Sequence, residues 1–167
     1  MRHMKRYCIF LLLTVVGIFS AHASNFTNSF GIYLVTGNAT GDLSHIEVAE
    51  TPVISDADII SYTYPNHLMI LRDGVRERIG RPDSSGITFV VEANGERIYL
   101  GAFMSEFSSI PRFVPCIVVD EGMMNTNLPP NALRISRGYP GPRSLSDADP
   151  RRDERIKNAL AALHKLK

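Results

Sequence analysis

The alternation of apolar and polar residues is clearest on either side of an Asn-Gly dipeptide at positions 94 and 95. Asn-Gly tolerates the positive φ values of a two-residue turn. The pattern therefore predicts a β-hairpin with one strand over 87–93 and the other over 96–103.

This turn also predicts which residues face each other across the hairpin. Glu92 would lie opposite Arg97 at a solvated tip, and Val91 would lie opposite Ile98. The face predicted to lie in the core carries Ile87, Phe89, Val91, Ile98, Leu100 and Ala102. The other face would carry Tyr99 and Phe103, so it is partly apolar and we expect a helix or a loop to cover it.

A predicted connector follows the hairpin, with Phe107, Ile110 and Phe113 among polar residues. We expect a protein or peptide partner to bind the loop side of the hairpin, or alternatively an edge strand that accepts a strand of the partner. The candidate partner surface on the loop side consists of Tyr99, Phe103, Phe107, Ser108 and Ser109.

The remaining pattern predicts short strands and two helices. Strands are predicted over 30–35, 67–71, 114–119 and 132–136. Leu71, Val75 and Ile79 recur on one face of a short helix, and a linker over 139–149 precedes a C-terminal helix over 150–165. The predicted fold class is α+β: a small, mainly antiparallel sheet built around the 87–103 hairpin, with helices packed on one face and the C-terminal helix docked.

Residues 1–23 have the pattern of a secretory signal peptide. Arg2, Lys5 and Arg6 precede an apolar run of 12 residues, which is shorter than the ~20 that a spanning helix needs. Ala21-His22-Ala23 matches the small-x-small cleavage pattern. We expect an exported protein, periplasmic or secreted, with one domain over 24–167 and no membrane span after cleavage; retention of the segment as an anchor is the alternative.

Composition and charge exclude several classes of partner. The chain has 167 residues, of which 44% are hydrophobic and 21% charged, and a formal net charge of +1. The signal segment holds three of the 18 basic residues and no acid, so the remainder has 15 basic and 17 acidic side chains and a net charge of −2. This balance predicts no nucleic-acid partner and no electrostatic attraction to an anionic membrane.

Candidate catalytic and metal-binding groups are few. Cys116 lies in an apolar run and is expected to be a buried, unreactive thiol. The histidines after the signal segment, His67 among them, lack the spacing of a zinc site, and no motif predicts a metal, a cofactor or a catalytic residue. A thiol enzyme that combines Cys116 with His67 and an acid, or a small extracytoplasmic hydrolase that uses a serine, is the alternative to a non-enzymatic function.

Two charged clusters allow both a structural and a functional interpretation. Ser55, Asp56 and Asp58 are interpreted as a helix cap rather than as metal ligands, because further oxygen ligands at fixed offsets are missing. Four arginines surround the short helix: Arg72, Arg76, Arg78 and Arg81. A solvated helix face with local ion pairs is favoured over an anion-binding patch.

Several segments together resemble known proteins. Over residues 52–119, the order of an acidic turn led by Pro52, a strand with a short helix, the Asn-Gly hairpin and Pro115-Cys116-Ile117 is similar to the periplasmic head subdomain of the export protein SecD. The chain after the signal segment also resembles a family of uncharacterised bacterial exported proteins and lipoproteins. That resemblance lies in segment 95–103, Ser108-Ser109, Gly138-Tyr139-Pro140 and segment 149–156.

The two resemblances imply a fold and a compartment, and they imply no residue role. The chain departs from SecD because it has no membrane bundle. The sequence as a whole predicts a non-enzymatic binding or accessory module of the cell envelope. An accessory role in membrane protein export is a further alternative, implied by the SecD resemblance alone.

Overall fold

The computed structural model describes residues 28–120, 127–142, 144 and 146–167, and the predicted signal peptide lies outside them. The strands are β1 (Phe30–Leu34), β2 (Ile54–Ser55), β3 (Ile59–Thr63), β4 (Leu68–Leu71), β5 (Ile87–Ala93), β6 (Glu96–Met104), β7 (Cys116–Val118) and β8 (Ala132–Ser136). The α-helices are α1 (Val75–Ile79) and α2 (Glu154–Ala162), and a 3₁₀ turn over Pro150–Arg152 leads into α2.

All eight strands belong to one sheet, with the order β2-β1-β5-β6-β7-β8-β4-β3. The pairs are antiparallel except β6 with β7, which run parallel. The two outer strands, β2 and β3, follow each other in the chain, and the sheet curves into a nearly closed, barrel-like form. The predicted small sheet with helices packed on one face is therefore wrong.

The tip of the predicted hairpin is confirmed. Asn94 and Gly95 have φ values of 53° and 78°, and Glu92 pairs with Arg97. Beyond that pair the register shifts by one residue, because Ile98 forms a bulge and Val91 pairs with Tyr99 instead.

Because of the bulge, the side chains of β6 after Ile98 point to the face of the sheet opposite to the one predicted. Tyr99 and Phe103 now lie beside Val91 and Ile87 and point into the main core, where Phe103 contacts the ring of Phe89 with centroids 4.7 Å apart. The prediction that Tyr99 and Phe103 lie on the outer face is therefore wrong. Ala102, predicted to share the core with Phe89 and Val91, lies on the opposite face of the sheet.

That opposite face carries a second, smaller hydrophobic cluster, which we call the outer cluster. It consists of Ala102, Met104, Cys116, Val118 and Tyr139. The parallel register places Ala102 beside Cys116 and Met104 beside Val118, while Phe103 and Ile117 alternate with them and belong to the main core. Tyr139, at the start of the predicted linker, is therefore part of the packed structure.

The C-terminal helix closes the main core. Ile156, Ala159 and Leu160 of α2 are buried in the same cluster as the inward residues of the sheet. Asp153 caps the helix by accepting a hydrogen bond from the amide of Arg155 at 2.9 Å. The helix thus packs its apolar stripe into the curved sheet, as its spacing predicts.

A clamp made by one arginine holds a loop over the outer face of the hairpin. Nη1 of Arg97 lies 3.0 Å from the carbonyl oxygen of Leu43, 3.2 Å from that of Ser44 and 2.6 Å from that of Ile46. Nε of Arg97 donates to Glu92 at 3.1 Å. The pair predicted at a solvated tip is therefore half-buried and holds a covering loop in place.

Candidate docking surface

The connector between β6 and β7 carries most of the exposed large apolar side chains among the described residues. Phe107 is 81% exposed, Phe113 57%, Ile110 42% and Val114 37%. We call these four residues the connector patch. Ile60, on β3, is the remaining exposed large apolar side chain of the described residues, at 50%.

The parallel pairing of β6 and β7 explains why the connector crosses the outside of the sheet. β6 ends at Met104, which lies beside Val118 at the end of β7, so the chain must return before β7 can begin at Cys116. The return path lies next to the outer cluster. Apolar residues of the connector that do not pack on this cluster are left facing solvent.

Tyr139 holds the connector from beneath. Its hydroxyl lies 2.8 Å from the carbonyl oxygen of Glu106 and 3.1 Å from that of Ser108, and its single hydrogen is shared between them. Its backbone exchanges two hydrogen bonds of 2.8 Å with Arg112. Both ends of the segment 106–112 therefore rest on one buried tyrosine, which brings Phe107 and its neighbours onto one side of the molecule.

Further hydrogen bonds tie the connector to the segment before β5. The hydroxyl of Ser108 donates to the carbonyl oxygen of Ser84, and the guanidinium of Arg112 donates to that of Ser85. The carboxylate of Asp120 accepts from the amide of Glu106 at 2.7 Å. The backbone is thus fixed while the apolar side chains stay exposed.

A glycine permits this close packing. An added Cβ at Gly138 would lie 2.6 Å from the carbonyl oxygen of Gly141 and 2.9 Å from that of Arg112. Both neighbours are backbone atoms, which cannot move aside at small cost. Gly138 therefore allows the chain before Tyr139 to pass under the connector.

The surface predicted from the sequence is brought together only in part. Phe103 is fully buried and cannot contact a partner, and Tyr99, at 6% exposure, is accessible only where it lines a groove beside Phe113. Phe107 and Ser109 are exposed, and Ser108 uses its hydroxyl to anchor the loop. The structure adds Ile110 and Phe113, whose recurrence with Phe107 at every third position was the signal that could have identified them.

A groove continues the connector patch toward the C-terminal part of the chain. It has a volume of about 330 Å³, and Phe113 and Val114 line it together with Leu100, Pro115 and Pro150. Arg137, Ser144 and Asp147 also line it, so the groove has a mixed apolar and charged character.

The arrangement needed for thiol catalysis does not form. Cys116 is buried in the outer cluster, and its thiol donates to the carbonyl oxygen of Val114 at 3.2 Å. Burial raises the pKa of the Cys116 thiol to about 12, so the thiolate is scarce at neutral pH. The ring of His67 instead contacts Tyr62 and Tyr64, which pack in the main core.

His67 has a structural role in the core. Its Nδ1 lies 3.0 Å from the hydroxyl of Tyr62, and its carbonyl oxygen accepts from the amide of Ile135 at 3.0 Å. Burial lowers the pKa of His67 to about 4, so the ring is neutral at physiological pH. Burial alone would raise the pKa of the nearby Asp149, but its hydrogen bonds with Arg151 outweigh that effect and lower it.

Three of the four arginines around α1 are bound to the fold. Arg72 donates to the carbonyl oxygen of Ala57, and Arg76 donates to those of Val119 and Ala132. Arg78 forms a 2.6 Å ion pair with Asp58. These contacts tie the arginines to other parts of the fold, and they are not the local ion pairs predicted for a solvated helix face. Among the described residues no group of acids, histidines and cysteines could hold a metal ion.

The edges of the sheet leave little room for an added strand. β2 has two residues. β3 already pairs with the end of the chain, because the amide of Tyr62 donates to Lys165 at 2.8 Å and the amide of Lys167 donates to Tyr62 at 2.9 Å. The connector patch is therefore the stronger candidate for contact with a partner.

Within the described residues, no helix has the length and apolar character needed to cross a membrane. Comparisons of the chain with protein-family models, with curated proteins and with solved structures find no match. The function of the connector patch is therefore inferred from its own geometry and chemistry.

Proposed function

We propose that this protein is a non-enzymatic binding module of the cell envelope that contacts a protein partner through the connector patch. The N-terminal pattern of a signal peptide supports export to the periplasm or the exterior. The observation that carries the binding role is the exposure of large apolar side chains on a backbone anchored from 106 to 112.

The hydrogen bonds that fix the connector backbone distinguish this surface from an ordinary exposed loop. Tyr139 and Arg112 fix the connector before any partner arrives, so binding would cost little backbone ordering. An exposed aromatic residue such as Phe107 is a suitable anchor for the centre of an interface. The pre-ordered backbone and the exposed ring together favour recognition.

The chemistry of the described residues favours binding over catalysis. The thiol of Cys116 is buried with a raised pKa, and His67 is buried beside Tyr62. Neither group reaches the connector patch with a free nucleophile or base. A hydrolase or thiol enzyme is therefore not the function we propose.

The test is site-specific photocrosslinking in the producing cells. A benzophenone amino acid replaces Phe107 or Ile110 in the full chain, and a matched control carries it at Ile60, which is exposed but lies on β3. We expect the same discrete adduct from positions 107 and 110 and no such adduct from position 60. Adducts that are absent, or identical at all three positions, would contradict the proposal.

A further inference from the structure

We propose that the Asn94-Gly95 turn is a site of spontaneous deamidation, and that Ser29 controls its rate by holding the side chain of Asn94. The reaction needs only water and is independent of the proposed binding function. Two observations carry the inference: the dipeptide at the turn, and a pair of hydrogen bonds that joins the turn to the segment before β1.

The reaction uses the backbone of the dipeptide itself. The nitrogen of Gly95 attacks Cγ of Asn94, the bond between Cγ and Nδ2 breaks, and ammonia leaves with the proton of the Gly95 amide. Water then opens the cyclic imide at either carbonyl, which gives aspartate or isoaspartate at position 94. Gly95 is exposed, and an added Cβ there would meet no atom within 4 Å, so the turn is open to water.

Ser29 opposes this attack in the folded protein. Its amide donates to Oδ1 of Asn94 at 3.0 Å, and its carbonyl oxygen accepts from the amide of Asn94 at 2.9 Å. The side chain must rotate to bring Cγ over the nitrogen of Gly95, and the hydrogen bond on Oδ1 resists that rotation. Ser29 precedes β1, so its two bonds can break while β1 stays paired. Deamidation is therefore fastest when Ser29 has left the turn.

The two products affect the hairpin differently. Aspartate at position 94 keeps a side-chain oxygen that can accept from Ser29. Isoaspartate inserts one further carbon into the main chain between Ala93 and Glu96, which pair across the turn. Because a two-residue turn does not accommodate the longer chain, isoaspartate formation would loosen the tip of the hairpin.

The test follows deamidation of the purified protein during incubation in mildly alkaline buffer. Peptide mapping by mass spectrometry quantifies aspartate and isoaspartate at position 94, with Asn94→Asp as the reference for the aspartate product. Ser29→Pro removes the donating amide, and Ser29→Ala is the matched control because it keeps both backbone groups that bond to Asn94. Circular dichroism checks that both variants are folded.

We expect Ser29→Pro to deamidate about fivefold faster than wild type, the ratio that corresponds to one hydrogen bond, and Ser29→Ala to match wild type. Equal rates in Ser29→Pro and wild type would overturn the inference. A slower Ser29→Pro would also overturn it, because the Ser29 amide would then assist the attack by stabilising the oxyanion. If neither protein forms either product, the turn is not a deamidation site.

Wild type in urea below the unfolding transition gives a readout that does not depend on the folding of a variant. The deamidation rate should rise in step with hydrogen exchange of the Ser29 amide, because both need the same local opening. A deamidation rate that stays constant while this exchange accelerates would contradict the role of Ser29.

Discussion

Removing the guanidinium of Arg97 tests whether the clamp holds the loop over the hairpin. In Arg97→Ala, the carbonyl oxygens of Leu43, Ser44 and Ile46 lose a donor that lies between 2.6 and 3.2 Å away. Glu92 also loses its partner at 3.1 Å. The comparison variant is Arg155→Ala, because Arg155 pairs with Glu96, next to Arg97, and with Asp153, but is about half exposed.

The expected magnitude follows from the number of hydrogen bonds. Nη1 carries two hydrogens and can serve two of the three carbonyls at a time, and Nε serves the carboxylate, so about three charged bonds are lost. Each contributes about 1.5 kcal/mol or more when buried, and Arg97 is 24% exposed, so we expect a loss of about 2–4 kcal/mol. Arg155→Ala should cost less than about 1 kcal/mol.

Urea unfolding followed by circular dichroism measures the free energy of unfolding of both variants. We expect the slope of the transition to be unchanged. Arg97→Lys keeps the charge but loses the fork of donors, so its stability should fall between wild type and Arg97→Ala. Hydrogen exchange gives a local readout. The amide of Thr36, which donates to Glu47 in the covering loop, should exchange faster in Arg97→Ala. If the free energies of unfolding of Arg97→Ala and Arg155→Ala differ by less than about 1 kcal/mol, the clamp is refuted.

Three further predictions follow from buried groups. His67 is neutral in the fold with a pKa of about 4, against 6.5 when unfolded, so the free energy of unfolding should be highest above pH 6.5. It should fall by about 3 kcal/mol as the pH drops through 4, and His67→Asn should flatten this profile in urea titrations. The Cys116 thiol should resist alkylation at neutral pH until the protein unfolds, and peptide mapping that finds rapid native labelling would contradict its burial. Gly138→Ala should lower the stability by about 2 kcal/mol in thermal unfolding because its Cβ meets two backbone oxygens, whereas Gly141→Ala, with no atom within 4 Å, should change it by less than about 0.5 kcal/mol.

Local chemistry made some elements predictable from the sequence. Asn94 and Gly95 specify the turn by themselves, because few other residues accept positive φ at both positions. Asp149, Pro150 and the apolar spacing after them likewise predicted the C-terminal helix, which the structure places at Glu154–Ala162 after a 3₁₀ turn.

The errors in the prediction come from strand pairing between distant segments. The bulge at Ile98 has no local signal, yet it moves Tyr99 and Phe103 from the predicted surface into the core. The nearly closed sheet depends on β4 pairing with β8 and on β6 running parallel to β7. The sequence of a short strand does not indicate which distant strand it pairs with. Tyr99 and Phe103 were included in the candidate partner surface because they were predicted to lie on the outer face, and the structure buries both.

The strand order also constrains when the molecule can fold during synthesis. β4 has β8 as its second neighbour, and β3 receives outer hydrogen bonds at Tyr62 from Lys165 and Lys167. A ribosome delivers the N-terminal strands long before these late partners, so a growing chain exposes unpaired strand edges until residues 132–136 and 165–167 have emerged. Vectorial delivery therefore delays completion of the sheet until segments 132–136 and 165–167 are available to pair.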